Sequence, residues 1–241
     1  MHSIREVFSI FQFLFETMQQ ECDFVKTLHQ TERSKVSLLR HRRTGTKYIL
    51  RCFSGSAEVY QTLLPLKSPY LPQIFEVAEA DGQVLVLEEY IQGDNLAELL
   101  QCGTLSVRQT RRIGKQLCQA LWVLHSLGAV HRDVKPENVI LTGSDAVLID
   151  FDAARINKPE HSEDTQILGT IGYAAPEQFG LGQTDARADI FAMGVLLNIL
   201  LTGCHPTKQL AKGRMGRIVQ RCIMTNQDKR FPTIQALMEA L

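Results

Sequence analysis

The stretch HRDVKPEN, at residues 131–138, decides how the rest of this chain is interpreted. Two further short motifs follow it in order, DFD at residues 150–152 and APE at residues 175–177. Apolar runs at residues 139–141 and 147–149 enclose the turn sequence TGSD, which predicts a β-hairpin between the first two motifs. One of these motifs alone would be weak evidence for a particular fold, whereas three motifs in this order are strong evidence.

Outward from this stretch, the sequence up to about residue 90 is typical of strands with one helix. Two pairs of short apolar runs each enclose a turn sequence, Thr44-Gly45 in the first pair and Asp81-Gly82 in the second. Such turns favour β-hairpins, because these residues tolerate the positive φ angles that tight hairpins require. A short helix is expected at residues 56–64.

After residue 92 the pattern becomes mostly helical. Ser106 has the chemistry of an N-cap for a helix that ends near Gly128. The apolar face expected for that helix consists of Ile113, Leu117, Leu121 and Leu124. Residues 190–201 predict a buried helix that ends at Gly203, and a last helix is expected from about Thr233.

The N-terminal segment, residues 1–20, predicts an amphipathic helix, because apolar side chains recur there at helical spacing. These side chains are Ile4, Phe8, Phe11 and Phe15. Packing on the same domain is the expected use of this face, and a partner or a membrane surface is the alternative. Polar residues interrupt the apolar stretch and no small-residue cleavage site follows, so no signal peptide is expected.

Composition excludes several classes of protein. The 241 residues are 44% hydrophobic and carry 26 basic and 26 acidic side chains, so neither general disorder nor a chain-wide basic surface for nucleic acid is expected. The six cysteines lack the spacing of a zinc site and are typical of a reducing compartment, so a cytoplasmic location is expected. No apolar run is long enough to span a bilayer.

The three motifs resemble those of the protein kinase superfamily, specifically the bacterial serine/threonine kinases of the eukaryotic-like type. The resemblance covers about residues 22–241 and implies an α+β fold with two lobes in a single kinase-like domain. After the N-terminal helix at residues 1–20, a small antiparallel sheet with one helix would occupy residues 21–91. A larger, mainly helical lobe would occupy residues 92–241.

The resemblance also implies the catalytic groups. Asp133 would accept or orient the proton of a substrate hydroxyl, and Lys135 would neutralise charge on the transferred phosphoryl group. Thr170 would hydrogen-bond to Asp133. Asn138 and Asp150 would supply oxygen ligands to Mg²⁺, with Mn²⁺ as a second possibility. The alternative for the cluster is a set of buried polar groups that tie loops together.

Other matched positions are expected to be structural. Glu177 and Arg230 would form a buried ion pair that joins the activation segment to the last helices. Asp189 would cap the backbone of the catalytic loop from the apolar helix. His131 is expected to pack in the core rather than carry protons.

The nucleotide-binding part departs from the family pattern. Alignment of the glycine-rich motif on Val36 leaves its three glycine positions occupied by His29, Thr31 and Ser34. Glycines there allow backbone N–H groups to approach phosphate closely. The phosphate-anchoring lysine is replaced by Arg51, and the alanine position beside it holds Ile49, whose bulk would press on an adenine ring.

The remaining nucleotide contacts are also implied by the resemblance. Glu58 would be the helix partner of Arg51. The backbones of Glu89 and Ile91 would face adenine, and Asp94 would reach the ribose.

Two acidic residues are unusual for the family. Glu88 occupies the gatekeeper position, where the alternative role is to pair with a nearby cation such as Arg51. Asp152 replaces the glycine of D-F-G and would either add a metal contact or pair with Arg51.

Two further segments concern substrate docking and regulation. Residues 204–221 form a shorter stretch than relatives have where a helix helps to dock substrates. Ser162 and Thr165 lie where activating phosphorylation occurs in the family, with Arg132 as the partner of a phosphothreonine. An ordinary solvated loop is the alternative.

Two functions follow from these features. The intact catalytic loop favours a protein serine/threonine kinase that uses ATP and acts on a protein substrate. The altered nucleotide-binding part favours a pseudokinase, a kinase fold that binds or scaffolds partners with weak or no use of ATP.

Overall fold

The structure is a computed structural model, and it describes residues 4–156, 170, 172–179 and 184–241, with side chains from residue 12 onward. The chain divides into two compact units. The first comprises Met1–Ser68 and Pro72–Ile91, and the second comprises Pro69–Leu71 and Gln92–Leu241. The expected α+β composition is confirmed, because the first unit is built on an antiparallel sheet and the second is mainly helical.

The first unit consists of a five-stranded sheet and two helices. The helices are α1 (Ile4–Glu21) and α2 (Glu58–Leu63). The strands are β1 (Cys22–Gln30), β2 (Ser34–His41), β3 (Lys47–Ser54), β4 (Ile74–Ala80) and β5 (Gln83–Glu89). All neighbouring strands are antiparallel, in the order β1-β2-β3-β5-β4.

Both hairpins predicted for the first unit are confirmed. Gly45, in the connection between β2 and β3, has a φ of 73°. Asp81 and Gly82 connect β4 to β5 with φ values of 51° and 74°. Positive φ at both central residues of this two-residue connection is the geometry that fits the twist of antiparallel strands.

Helix α1 packs on one face of this sheet. Leu14 is 8% exposed and clusters with Ala78 and Leu85, and Met18 packs against the same cluster. Because Leu14 and Met18 are four residues apart, they lie on the same side of the helix. The helix itself is confirmed, but the prediction that Phe15 lies on its buried face is wrong, since Phe15 is 43% exposed. The other three apolar positions of the predicted face lie outside the described side chains.

The second unit combines five helices with short strands in the part of the chain that the structure describes. The helices are α3 (Leu96–Gln101), α4 (Val107–Ser126), α5 (Arg187–Thr202), α6 (Gly213–Cys222) and α7 (Ile234–Ala240). The strands are β6 (Asp94–Asn95), β7 (Ala129–Val130), β8 (Val139–Thr142), β9 (Asp145–Leu148) and β10 (Arg155–Ile156). Strands β6, β8 and β9 form one antiparallel sheet, and β7 pairs with β10.

Helix α4 begins, and helix α5 ends, where local chemistry predicts. The Ser106 side chain accepts a hydrogen bond from the Gln109 N–H, and the Gln109 side chain accepts one from the Ser106 N–H. This reciprocal pair satisfies two donors at the start of α4. Helix α5 ends at Gly203, which takes the left-handed conformation with a φ of 69°. The predicted apolar face of α4 is buried, at Ile113, Leu117, Leu121 and Leu124.

Helix α5 lies in the core of the second unit. Most of its residues are buried on every side, as its nearly uniform apolar sequence predicts. A Cβ at Gly194 would collide with Cys222 of α6, so this glycine permits the close approach of α5 and α6.

Two further properties concern the helices and the cysteines. Among the helices in residues 4–156 and 184–241, none combines the length and the apolarity that crossing a membrane requires. All six cysteines belong to the described residues, and each has a free thiol.

Candidate active site

The loop that carries the first motif lies between β7 and β8 and ends in the 3₁₀ turn Pro136–Asn138. Its backbone is fixed by Asp189, which is fully buried in α5. The carboxylate accepts the N–H of His131 at 2.9 Å and the N–H of Arg132 at 2.8 Å. It also accepts a hydrogen bond from Nε2 of His125, on α4, at 2.8 Å. The predicted capping contact of Asp189 is therefore present, with His125 as an additional partner.

Two residues near the motifs adopt a backbone conformation that side chains disfavour. Arg132 has a φ of 70°, and Asp150 has a φ of 71°. Left-handed conformations at residues other than glycine persist only where the surroundings hold them. At Arg132 the hydrogen bond from its N–H to Asp189 supplies part of that restraint.

Asp133 is the centre of a compact hydrogen-bonded group. Its Oδ1 accepts a hydrogen bond from the Thr170 hydroxyl at 2.6 Å. Its Oδ2 lies 2.7 Å from Lys135 Nζ and accepts a hydrogen bond from Asn138 Nδ2 at 3.0 Å. Lys135 Nζ also donates to the Thr170 hydroxyl at 2.8 Å. The structure thus brings together the four residues expected to be catalytic.

The electrostatics of this group keep Asp133 ionised. Burial by itself would raise the pKa of Asp133, but the hydrogen bonds from Lys135 and Thr170 and the positive charge of Lys135 outweigh it, so the pKa is lowered from its ordinary value. The side chain keeps 15% of its surface accessible. An ionised carboxylate with a remaining accessible edge is able to accept a hydrogen bond from a further hydroxyl.

Asn138 and Asp150 are held next to each other. The Asn138 carbonyl accepts the N–H of Ile149, the residue before Asp150, at 2.9 Å. Because the Asn138 amide nitrogen donates to Asp133, its Oδ1 is the atom that remains for a metal. The described residues contain no group of three His, Cys, Asp or Glu side chains suited to a metal. One carboxylate with one amide oxygen fits Mg²⁺, which keeps several waters and binds substrate phosphates.

The residues that flank this metal candidate are packed or hydrogen-bonded. Phe151 is 1% exposed and its ring meets that of His131 edge to face, with centroids 5.5 Å apart. His131 is fully buried, as expected for a core histidine. The Asp152 N–H donates to Asp150 Oδ1 at 3.4 Å, which restrains the carboxylate that would bind metal.

The predicted pair of Glu177 and Arg230 is present. The guanidinium donates to both carboxylate oxygens, at 2.6 and 2.8 Å, and Arg230 is 2% exposed. Arg230 also donates to the carbonyls of Met224 and Arg187. A buried pair of this kind tethers the third motif to the segment that precedes α7.

One contact of this region was not predicted from the sequence. Gln178 is 1% exposed; its Nε2 donates to the Arg132 carbonyl at 2.9 Å, and its Oε1 accepts the Ala175 N–H at 3.0 Å. It therefore joins the third motif to the catalytic loop. Its only signal in the sequence is its position directly after APE.

Arg51 forms a buried ion pair within the first unit. The register of β3 and β5 puts Ile49 opposite Glu88 and Arg51 opposite Val86, so the three residues Ile49, Arg51 and Glu88 share one face of the sheet. Arg51 Nη2 lies 3.2 Å from Glu88 Oε1, and the two side chains are only 5% and 4% exposed. The alternative interpretation of Glu88, as a partner of Arg51, is confirmed.

The hairpin tip that replaces the glycine-rich loop is closed by hydrogen bonds among its own residues. The Thr31 hydroxyl accepts the N–H of Arg33 at 3.2 Å and the N–H of Ser34 at 3.0 Å. The Thr31 N–H donates to the Ser34 carbonyl at 2.8 Å. Backbone donors that a glycine-rich loop would direct at phosphate are satisfied here by a side chain.

The other expected nucleotide contacts divide between the two units. Glu58, at the start of α2, and Glu89 and Ile91, at the end of the sheet, belong to the first unit. The Glu89 N–H donates to the Gln73 carbonyl at 2.9 Å. Asp94 is exposed and belongs to the second unit, in β6.

The candidate phosphorylation sites Ser162 and Thr165 lie outside the described residues. Arg132, the expected partner of a phosphothreonine at Thr165, is 4% exposed.

Comparison with known proteins agrees with this geometry. The sequence model of the family described as "Protein kinase domain" matches residues 24–240. Serine/threonine-protein kinase PknD of Mycobacterium tuberculosis is 39% identical over 178 residues, which cover 69% of this chain and 27% of PknD. PknA of a Nostoc species is 31% identical over 199 residues, covering 72% of this chain and 35% of PknA. PknE of M. tuberculosis is 35% identical over 161 residues, covering 66% and 28%. The chain thus spans about a quarter to a third of the length of these relatives.

Proposed function

The chain belongs to the protein kinase family, and from this premise we propose that it transfers the γ-phosphoryl group of ATP to a serine or threonine hydroxyl of a protein. The observation that carries the proposal is the group around Asp133, in which Lys135, Asn138 and Thr170 converge on one carboxylate. Phosphoryl transfer requires an ionised, partly accessible carboxylate to orient the substrate hydroxyl, whereas binding a partner does not. The names of the relatives, which are serine/threonine kinases, support the choice of substrate hydroxyl.

The roles of the protein's own groups follow from that geometry. Asp133 orients the substrate hydroxyl and accepts its proton as the oxygen attacks phosphorus. Lys135 Nζ contacts both Asp133 and Thr170. It neutralises charge on the phosphoryl group during transfer. Thr170 fixes Oδ1 of Asp133, so that the carboxylate points one edge at the hydroxyl.

Metal binding is assigned to Asn138 Oδ1 and Asp150. Their donor set suits Mg²⁺, and Mn²⁺ accepts the same oxygen ligands. When bound, the metal neutralises charge on the phosphates of ATP. The protein's contribution is to hold the two ligands on adjacent segments through the bond between Ile149 N–H and the Asn138 carbonyl.

Nucleotide binding is assigned to Arg51, Glu58, Glu89, Ile91 and Asp94. Arg51, whose ion-pair partner is Glu88, takes the place of the phosphate-anchoring lysine. Glu58, on α2, is assigned to the nucleotide site by its position in the sequence. The main chains of Glu89 and Ile91 contact adenine, and Asp94 contacts the ribose. The closed hairpin tip at Thr31 removes one usual source of phosphate contacts, so weak binding of ATP is expected.

A cytoplasmic site of action is part of the same proposal. It is supported by six cysteines with free thiols, two of which, Cys118 and Cys222, are fully buried. Use of ATP points to the same compartment. The partners are a protein substrate and no nucleic acid, since the chain has no net basic charge.

A thermal-shift titration tests nucleotide and metal binding directly. ATP with Mg²⁺ is expected to raise the melting temperature progressively, because a ligand that binds only the folded state stabilises it by mass action. The matched control is Asp150→Asn, which keeps the shape of the side chain and removes the charge that binds metal. This variant is expected to lose the metal-dependent part of the shift. No shift with millimolar ATP and Mg²⁺ would contradict the proposal and favour a pseudokinase.

A further inference from the structure

His205 lies in the short segment at residues 203–212, between α5 and α6, and contacts the segment that carries Thr170. Its Nε2 lies 2.8 Å from the carbonyl oxygen of Gly172. Its Nδ1 accepts the N–H of Thr207 at 3.3 Å and lies 2.8 Å from the Thr207 hydroxyl. Because Nδ1 accepts a backbone N–H, the proton of the neutral ring resides on Nε2, which donates to Gly172.

Gly172 is close in the chain to the group that holds the catalytic carboxylate. It has a φ of 96°, a conformation that favours glycine. The N–H groups of the next two residues, Tyr173 and Ala174, donate to the Thr170 carbonyl at 3.0 and 3.1 Å. The Thr170 hydroxyl in turn donates to Asp133. Gly172, which His205 contacts, is therefore two residues along the chain from Thr170, which contacts Asp133.

The other end of this connection is anchored in the core. Asn198 is fully buried in α5. Its Nδ2 donates to the carbonyls of Cys204 and Gln209, both at 2.8 Å, and its Oδ1 accepts the N–H of Ala211 at 2.8 Å. A buried amide with both ends satisfied fixes the segment on either side of His205, because breaking any of these bonds would leave a polar group unpaired.

These hydrogen bonds, joined by short stretches of main chain, connect the buried helix to the catalytic group. We propose that His205 is a positioning residue, which holds the Gly172 turn and thereby sets Thr170 and Asp133 in place for transfer. In this way the segment at residues 203–212 supports the turn at Gly172. This inference rests on the proposed kinase activity and adds a residue that the motifs do not identify.

Steady-state kinetics of three variants test the role. His205→Phe keeps a ring and removes the donor, and we expect kcat for a protein substrate to fall about threefold to tenfold, the value of one neutral hydrogen bond. The KM for ATP is expected to stay unchanged. His205→Gln places an amide nitrogen near the position of Nε2 and is expected to restore kcat. His41→Phe, at the end of β2 in the first unit, is the matched control and is expected to behave as wild type. A His205→Phe variant as fast as wild type, or a His205→Gln variant as slow as His205→Phe, would overturn the proposal.

Hydrogen exchange separates this inference from the proposed activity. The amides of Tyr173 and Ala174 are expected to exchange faster in His205→Phe and at the wild-type rate in His205→Gln. Equal protection of these amides in wild type, His205→Phe and His205→Gln would show that His205 does not hold the Gly172 turn. If the wild-type protein transferred no phosphate, the proposed function would fail, whereas the exchange rates would still decide whether His205 holds the turn.

Discussion

At Asp133, neighbouring residues determine the ionisation state of the carboxylate. Burial opposes its charge, yet the hydrogen bonds from Lys135 and Thr170 and the charge of Lys135 keep it ionised. The lowered pKa makes it a weak base in the resting state. Such a carboxylate orients the hydroxyl first and takes the proton as the bond to phosphorus forms.

Thr170 gives a direct test at this scale. Thr170→Val keeps the branched shape and removes the hydroxyl that donates to Asp133. Because a hydrogen bond to a charged group contributes about 1.5–3 kcal/mol, kcat is expected to fall roughly tenfold to a hundredfold. Thr170→Ser retains the hydroxyl and is expected to retain most of the activity. Steady-state kinetics at saturating ATP measures both variants, and a wild-type kcat in Thr170→Val would show that this contact is unimportant.

The buried pair of Arg51 and Glu88 predicts an asymmetric effect on stability. Arg51→Met leaves the Glu88 carboxylate buried beside an apolar side chain, so the free energy of unfolding is expected to fall by about 3–5 kcal/mol. The double variant with Glu88→Leu is expected to recover most of that loss, because neither charge remains. Urea denaturation measures the three proteins.

The matched control for this pair is the exposed contact of Arg40 with Asp23, whose side chains are 57% and 48% exposed. Arg40→Met is expected to change the free energy of unfolding by no more than about 0.5 kcal/mol. A loss in Arg51→Met as small as that of the control would mean that the buried pair is not coupled.

At the scale of elements, Asp189 connects α5, α4 and the catalytic loop. Burial would raise its pKa, but the hydrogen bond and charge of His125, the charge of His131 and the His131 N–H outweigh burial and lower it. A lowered pKa in the folded state means that the ionised form stabilises the fold. That stability is complete above the ordinary aspartate pKa of about 3.9 and is lost as pH falls toward the folded value.

The corresponding prediction concerns Asp189→Asn. At neutral pH this variant is expected to lose about 1–3 kcal/mol of unfolding free energy, because the charge that accepts two loop N–H groups and His125 is gone. The difference from wild type is expected to shrink as pH falls below about 4. Urea denaturation at several pH values measures it, and a difference that stays constant down to pH 3 would contradict the ionic role.

The elements also show what a sequence can reveal. The hairpins and the start of α4 were predictable, because glycine turns and a capping box act over a few residues. Strand β1 was not identified, since register shifts between Phe24 and Lys26 and between Thr27 and His29 break the alternation of a regular strand. Helix α6 was missed because it contains glycine. A Cβ at Gly216 would meet the Ala211 carbonyl, so packing overrides helix propensity there.

The candidate site was predictable to a similar degree and for similar reasons. Lys135 and Asn138 belong to the same contiguous motif as Asp133, and Thr170 was placed beside Asp133 by the resemblance to the family. The tether through His205 could not be predicted, because it joins a segment after α5 to Gly172 and depends on tertiary packing. The closed tip at Thr31 depends on side-chain geometry that the missing glycines only suggest.

For the whole molecule, the zero net charge has little influence on the proposed chemistry. The charges that matter are local and are divided between the two units, with Arg51 in the first and Asp133 and Asp150 in the second. The family match covers residues 24–240, and the chain spans 27% of PknD and 35% of PknA. The proposed activity therefore concerns this kinase domain.

The central claim is that this domain transfers phosphate through Asp133, and one measurement tests it most directly. Wild-type protein and Asp133→Asn are incubated with γ-labelled ATP, Mg²⁺ and a general protein substrate, and the labelled amino acids are identified after hydrolysis. The wild type is expected to label serine or threonine, and Asp133→Asn is expected to be slower by about 10²- to 10⁴-fold, the usual contribution of a general base. An unlabelled substrate with the wild type, or equal labelling by the two proteins, would contradict the account.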